Sequence, residues 1–128
     1  MKFACSILYV PDVLAALEFY EKAFELSRKF VDETRTYGEL ATGATRLAFA
    51  AESIAKEHGG EFRPSRAGEL PHAMEIVLVA DDVAKSFAHA VASGATAVQP
   101  PKQTPWGQTI SYVRDLNGFL VEICTAWD

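Results

Sequence analysis

The sequence is poor in the residues that build disulfides, histidine metal sites and contacts to nucleic acid. Of its 128 residues, two are cysteine and three are histidine, and no CxxC pair occurs. Lys and Arg total 12 against 17 Asp and Glu, for a net charge of −5, and the basic residues form no run. We therefore expect no nucleic acid and no membrane as partners, while the charge weakly favours a cationic ligand.

Long hydrophobic runs are also lacking. The apolar segment at residues 3–10 is too short for a signal-peptide core with its cleavage site and far too short to span a bilayer. We expect a cytoplasmic protein in which Cys5 and Cys124 stay reduced inside strands. Because the chain is 49% hydrophobic and long enough for one core, we expect a single domain over residues 1–128.

An internal repeat is the main feature that the sequence does contain. Residues 5–23 (CSILYVPDVLAALEFYEKA) and 75–93 (EIVLVADDVAKSFAHAVAS) match in their apolar positions and at Asp12 and Asp82. Each copy predicts a strand, an aspartate N-cap and an amphipathic helix. The second helix should stop at Gly94, whereas the first has no glycine at its end.

Shorter, turn-rich strands should follow each helix. We predict them at residues 26–32, 37–41 and 45–50 in the first half and at 97–99, 109–114 and 119–125 in the second. The order is thus βαβββ twice, with module one at 1–51 and module two at 73–128. Asn117-Gly118 predicts a type I′ hairpin turn, and Thr42-Gly43 takes the corresponding place.

The polar segment at residues 52–72 joins the two modules. It carries Gly59-Gly60 and two prolines, Pro64 and Pro71. We interpret it as a connector. The sequence leaves open whether it folds partly over a pocket or stays mobile.

Three segments resemble the vicinal oxygen chelate superfamily, which includes glyoxalase I, bleomycin-resistance proteins, fosfomycin-resistance enzymes and extradiol dioxygenases. They are LYVPDV with ALEFYEKAF, then LVADDVAKSFAHAVASGA, and PWGQTISYVRDLNGFLVEI near the end. The chain departs from the family pattern at Glu25, usually glycine, and at Leu116, usually proline. The resemblance implies an α+β fold in which two βαβββ modules form a curled mixed sheet with a concave ligand cleft. It also implies a homodimer.

By position, the resemblance places the family's metal ligands at Cys5, Leu47, Glu75 and Glu122. Leu47 has no ligand atom, and one thiol with two carboxylates matches neither the usual zinc or nickel sets nor a 2-His-1-carboxylate iron site. We therefore expect no bound cofactor. The alternative is a divalent metal held by Cys5, Glu75 and Glu122.

Glu122 is the first candidate catalytic residue. Alternation along its strand puts Glu122 on the face opposite Val121 and Ile123. If that apolar row meets the helices, Glu122 faces the pocket, where a buried carboxylate needs a metal, a cation or hydrogen-bond donors. The alternative is an edge-strand glutamate in water.

Glu75 is the second candidate catalytic residue. It lies between Met74 and Ile76 and would bring a second carboxylate towards Glu122. Two such charges push one pKa upward unless a cation intervenes, an arrangement that suits a divalent metal or a general base. The alternative is an exposed glutamate at the start of a strand.

Aromatic side chains are the candidate ligand-binding residues of an apolar cleft. They are Tyr9, Tyr37, Phe49, Trp106 and Tyr112. Trp106-Gly107 aligns with Tyr37-Gly38, so each module could offer an aromatic at a corresponding rim. Ordinary core packing is the alternative for each of them.

Three functions follow as hypotheses. The first is a non-catalytic protein that binds an aromatic or cationic small molecule. The second is a divalent-metal-dependent lyase or dioxygenase, resembling glyoxalase I, that uses Glu75 and Glu122. The third is a metal-free enzyme in which one of these glutamates is the general base.

Overall fold

Each half of the chain forms a compact unit in the computed structural model, which describes residues 1–127. Unit one is Met1–Pro64 and unit two is Ser65–Asp128. The boundary falls inside the predicted connector. The connector residues are therefore divided between the units.

The predicted βαβββ order is confirmed in both units. Unit one contains β1 (Ser6–Val10), α1 (Val13–Phe24), β2 (Arg28–Val31), β3 (Tyr37–Leu40), β4 (Leu47–Ala51) and α2 (Glu52–Gly59). Unit two contains β5 (Glu75–Val79), α3 (Val83–Ala92), β6 (Thr96–Gln103), β7 (Thr109–Arg114) and β8 (Leu120–Cys124). None of the helices within residues 1–127 is long and apolar enough to cross a membrane.

Each unit has one four-stranded mixed sheet, as the α+β prediction requires. The strand order is β1-β4-β3-β2 in unit one and β5-β8-β7-β6 in unit two. In each sheet the first strand pairs in parallel with the last, and the other neighbours are antiparallel. The two sheets therefore repeat the same topology, as the sequence repeat predicts.

Aspartate side chains begin the two repeated helices. Asp12 accepts a hydrogen bond of 3.0 Å from the backbone N–H of Ala15, and Asp82 accepts one of 3.1 Å from Lys85. These bonds satisfy N–H groups that the first helical turn leaves free, so both N-cap predictions are confirmed. At the other end of α1, Glu25 adopts the left-handed conformation (φ 56°) that glycine usually supplies.

One face of the first sheet packs against α1. Phe49 stacks edge-on against Tyr20 of α1, with 5.0 Å between ring centroids. A Cβ on Gly38 would lie 2.6 Å from Leu17, so only glycine lets the helix approach this closely. Side chains alternate along strands, so the opposite side, which we call the far face, carries Ile7, Tyr9, Tyr37, Glu39, Ala48 and Ala50.

The second sheet has the same two faces. Val113, Val121 and Ile123 are buried on the side that packs against α3. The far face of this sheet carries Glu75, Val77, Val79, Tyr112, Glu122 and Cys124. The prediction that Glu122 and the apolar row lie on opposite faces of β8 is confirmed.

The hairpin turn between β7 and β8 differs from the prediction. Gly118 has a positive φ of 89°, but Asn117 does not, so the turn is not type I′. The N–H of Gly118 donates to the carbonyl of Asp115, and the Asp115 carboxylate accepts from the N–H groups of Asn117 and Phe119. Asp115 thus accepts hydrogen bonds from the N–H groups of three successive residues of the turn.

Part of the connector is hydrogen-bonded to this hairpin. The Arg114 guanidinium donates to the carbonyls of Gly118, Ala67 and Arg66 at 3.0, 3.2 and 3.2 Å. The Ser65 hydroxyl donates to the carbonyl of Asn117 at 2.8 Å. The start of unit two is therefore held against the β7–β8 turn by side-chain to backbone hydrogen bonds.

Candidate functional site

Four polar side chains meet on the far face of the second sheet, and we call them the Glu122 cluster: Glu75, Tyr112, Glu122 and Cys124. Glu122 lies beside Val77 on β5 and Tyr112 on β7 in the strand register. The Tyr112 hydroxyl donates a hydrogen bond of 2.9 Å to Glu122 Oε1. Glu75, an exposed residue at the start of β5, and the buried Cys124 lie close enough to Glu122 for its charge to affect them.

Burial and the Glu122 charge change the acidity of the neighbouring groups. Partial loss of water, then the hydrogen bond to Glu122 and repulsion from it, raise the pKa of Glu75. Burial and the same carboxylate raise the pKa of Tyr112 to about 12 and that of Cys124 to about 11. At neutral pH Tyr112 and Cys124 are therefore uncharged.

Glu122 has no cationic partner in the part of the chain that the structure describes. It is 9% exposed, and none of the ion pairs formed by residues 1–127 includes it. The exposed side chains of Val77 and Val79 lie on the same face. The cluster thus combines a buried negative charge with accessible apolar surface.

A second polar cluster lies on the far face of the first sheet. Glu39 is fully buried and accepts two hydrogen bonds of 2.7 Å from Nε and one terminal nitrogen of Arg46. Lys29 Nζ lies 3.5 Å from the same carboxylate. The Arg46 hydrogen bond and charge, together with Lys29, hold the pKa of Glu39 at about 2 despite its burial.

Tyr37 and Cys5 complete this second cluster. The two side chains lie beside each other, and both lie near the Arg46 guanidinium. Burial and the neighbouring Cys5 and Glu39 raise the pKa of Tyr37. The sequence predictions included Cys5 and Tyr37 but missed Glu39 and Arg46, although Glu39 follows Tyr37 by two residues and must share its face.

Leu47 and Phe49 are not on the far face, which corrects the predicted alignment of the two modules. Phe49 is fully buried against α1, and Leu47, two residues earlier, lies on the same side of β4. In the strand register Ile7 pairs with Ala48, just as Val77 pairs with Glu122. The counterpart of Glu122 is therefore Ala48, and Phe49 belongs to the core.

The remaining predicted aromatic residues lie in different settings. Tyr9 is on the far face, where its ring meets Phe62 at 4.9 Å between centroids. Trp106 is 71% exposed in the turn before β7, and its Nε1 donates to Gln108 at 2.8 Å. In the strand register Tyr37 pairs with Ala50 and Ile110 pairs with Cys124, so the counterpart of Tyr37 is Ile110, and the predicted match between Trp106 and Tyr37 is wrong.

Comparison with known proteins identifies the family. The model of the glyoxalase, bleomycin resistance protein and dioxygenase superfamily matches residues 3–123. The chain belongs to this superfamily. No curated protein matches it.

Solved structures share the superfamily fold. A glyoxalase-related enzyme from Fulvimarina pelagi has a TM-score of 0.82 at 23% identity, with 98% of this chain and 88% of that chain covered. A protein of unknown function from Agrobacterium tumefaciens str. C58 has a TM-score of 0.78 at 20% identity, with 99% and 95% covered. A glyoxalase/bleomycin resistance protein/dioxygenase family enzyme from Burkholderia phytofirmans PsJN has a TM-score of 0.76 at 18% identity, with 97% and 98% covered. At these identities the likeness concerns the fold.

The donor atoms at the superfamily's metal positions do not form a usual ligand set. Leu47, the position predicted from the sequence, and Ala48, the position given by the register, both lack a ligand atom, and the Cys5 thiol lies beside Tyr37. Within residues 1–127, no three or more His, Cys, Asp or Glu side chains are grouped to hold a metal ion.

Proposed function

We propose that this superfamily member binds a small organic molecule that carries a basic amine, without a resident metal ion. The observation that supports this is the buried Glu122 carboxylate, whose partners are a phenol, a thiol and a second carboxyl group. Burying a carboxylate without a counter-charge costs free energy. The positive charge of a ligand's ammonium group would offset that cost. Val77 and Val79 offer apolar contact to the rest of the ligand.

Calorimetric titration tests this proposal with matched probes. Benzylamine, and larger aromatic amines, should bind more tightly than the uncharged benzyl alcohol. Glu122→Gln should weaken amine binding by about tenfold or more, because it removes the charge and keeps the shape. Glu69→Gln, an exposed position in the same unit, is the control. Equal binding of amine and alcohol, or no effect of Glu122→Gln, would reject the proposal.

Elemental analysis tests the metal-free part separately. Protein purified without chelators should contain far less than one equivalent of any transition metal. Stoichiometric metal, lost together with thermal stability when Glu75 or Glu122 is replaced, would favour the metal-dependent lyase or dioxygenase instead.

A catalytic use of the same pair is the second candidate function. The raised pKa of Glu75 beside Glu122 is the observation that favours it, since a carboxylate whose proton affinity is raised is a better general base. In that case Glu75→Gln would abolish turnover of a bound compound and leave its affinity nearly unchanged.

For the protein as a whole, we also propose a cytoplasmic homodimer. Light scattering of the purified protein would test the dimer, and cell fractionation would test the location.

A further inference from the structure

We infer that Arg46 is a binding point for the carboxylate group of a small aromatic or acyl ligand. This site is distinct from the Glu122 cluster. It uses residues of unit one alone, so an experiment that rejects the proposed amine site would not reject this one, and the reverse also holds.

The orientation of the Arg46 guanidinium is fixed by a carboxylate that a ligand cannot displace. Glu39 is fully buried and holds Nε and one terminal nitrogen of Arg46, both at 2.7 Å. This two-bond arrangement fixes the plane of the guanidinium as well as its position. Arg46 is therefore preorganised, and little side-chain entropy remains to be lost when a second anion binds.

The opposite edge of the guanidinium has hydrogen-bonding capacity left. A guanidinium has five N–H groups, and Glu39 engages two of them. Within residues 1–127, the Arg46 side chain forms no other hydrogen bond, and it is 41% exposed. The two terminal nitrogens can thus present a second pair of N–H groups, in the geometry that suits a carboxylate.

The local charge also favours an anion. Glu39 carries one negative charge and has two cations around it, Arg46 and Lys29. One positive charge is left over in a chain whose net charge is −5. The Lys29 side chain is 56% exposed, so the excess charge is at the surface of the cluster and can meet a ligand. A monoanion matches this excess, whereas a multiply charged anion would exceed it.

Aromatic side chains beside Arg46 favour a ligand with an apolar body. The rings of Phe30 and Tyr37 lie 5.8 Å apart between centroids, and Tyr37 is close to the guanidinium. Phe30 and Ile7 are 42% and 43% exposed on the far face. A ligand whose carboxylate binds Arg46 would find this apolar surface next to it.

Benzoate and its uncharged isostere benzamide are the probes that test the inference. Benzoate should bind with roughly millimolar affinity, as expected for so small a ligand, and should shift the Arg46 Nε–H signal in a ¹⁵N NMR spectrum. Benzamide at the same concentration should leave that signal in place. Equal shifts with both probes, or none with benzoate at saturating concentration, would overturn the inference.

Three variants separate a binding arginine from a purely structural ion pair. Glu39→Gln removes the competing negative charge but keeps a hydrogen-bond acceptor, so benzoate affinity should stay the same or rise. The double variant Glu39→Gln with Arg46→Met avoids leaving a buried carboxylate unpaired, and its benzoate affinity should fall by about tenfold or more. Lys29→Met, which leaves Arg46 in place, should cause a smaller loss. Benzoate affinity in the double variant equal to that of Glu39→Gln would rule out Arg46 as the binding point.

Discussion

Tyr112 and Glu122 are cross-strand neighbours on β7 and β8, and the phenol of one donates a hydrogen bond of 2.9 Å to the carboxylate of the other. Their counterparts on the first sheet are Glu39 and Ala48, which also pair directly. Each sheet thus has a carboxylate at this level, on a different strand. The carboxylate of the first sheet is paired with Arg46, and that of the second sheet has only uncharged donors and Glu75.

Tyr112→Phe should lower the free energy of unfolding. The substitution removes a donor from a carboxylate that is 9% exposed, and a hydrogen bond to a charged group contributes about 1.5 to 3 kcal/mol. We expect a loss towards the lower end of that range, because Glu75 and Cys124 still contact Glu122. Urea unfolding at neutral pH measures it. Tyr9→Phe is the control, since no hydrogen bond of the Tyr9 hydroxyl is found within residues 1–127, and an equal loss in both variants would contradict the prediction.

Glu39 should make the protein more resistant to denaturation at neutral pH than in acid. Its pKa in the fold is about 2, below the ordinary value of 4.5. A lowered carboxyl pKa gives stability that is present above the ordinary value and is lost as the pH falls towards the lowered one. We therefore expect the urea midpoint to fall between about pH 5 and pH 2.

The variant Glu39→Gln isolates this contribution. Its urea midpoint should be lower than that of the wild type at pH 7 and should depend less on pH across the same acid range. Glu69→Gln should keep the wild-type profile. If the urea midpoints of the wild type and Glu39→Gln changed with pH in the same way, the ion pair between Glu39 and Arg46 would not be the cause of the pH dependence.

Glu75 should have the opposite effect on stability. Its pKa is raised in the fold by partial burial and by Glu122. A raised carboxyl pKa gives stability that is present below the ordinary value and is lost as the pH rises through the raised one. Above its raised pKa, the charged form of Glu75 therefore opposes folding.

Glu75→Gln should raise the free energy of unfolding at pH 7, and the gain should be smaller at pH 4, below the ordinary carboxyl pKa of 4.5. Urea unfolding at the two pH values measures the difference. A loss of stability at pH 7 would mean that Glu75 gains more from its contacts than it loses by repulsion from Glu122.

The fold could be predicted from the sequence because packing positions repeat. Two strand-helix units can be identified from the sequence alone, because each has an aspartate N-cap, Asp12 or Asp82, between matching apolar positions. Helix α2 could not be predicted in this way. Ala55 is its only buried residue, so it has no apolar stripe, and its position depends on contacts with β1 and β4 that the local sequence does not encode.

The candidate site was predicted only in part, for two physical reasons. Strand β4 reads LAFAA, so no polar residue marks which side faces the helix, and the loops before β4 and β8 differ in length. Aligning the two modules on Gly43 and Gly118 therefore matched Leu47 with Glu122. The strand register matches Ala48 with Glu122 instead. In β8 the single Glu122 among apolar residues makes the two faces distinguishable, and there the predicted face is confirmed.

Gly118→Ala should destabilise the protein much more than Gly43→Ala. The two glycines occupy turns of corresponding position and both have positive φ, at 89° and 72°. A residue with a side chain in this conformation costs about 1 to 2 kcal/mol. Nothing lies within 4 Å of a Cβ built on Gly43, so this backbone cost is all that its substitution incurs.

At Gly118 a Cβ would also collide with the docked connector. It would lie 2.5 Å from the carbonyl oxygen of Arg66 and 2.7 Å from a terminal nitrogen of Arg114. Because Arg114 holds the carbonyls of Arg66, Ala67 and Gly118, the new methyl group cannot be accommodated without breaking those bonds. In urea unfolding, we expect Gly118→Ala to lower the free energy of unfolding by at least about 1 kcal/mol more than Gly43→Ala does, because a lost hydrogen bond usually costs about that much.

Trypsin should also cleave the native Gly118→Ala variant after Arg66 faster than it cleaves the wild type, because residues 65–67 are released from the turn. Equal losses in the two variants, with unchanged cleavage, would show that residues 65–67 move aside freely and that Arg114 does not hold them in solution.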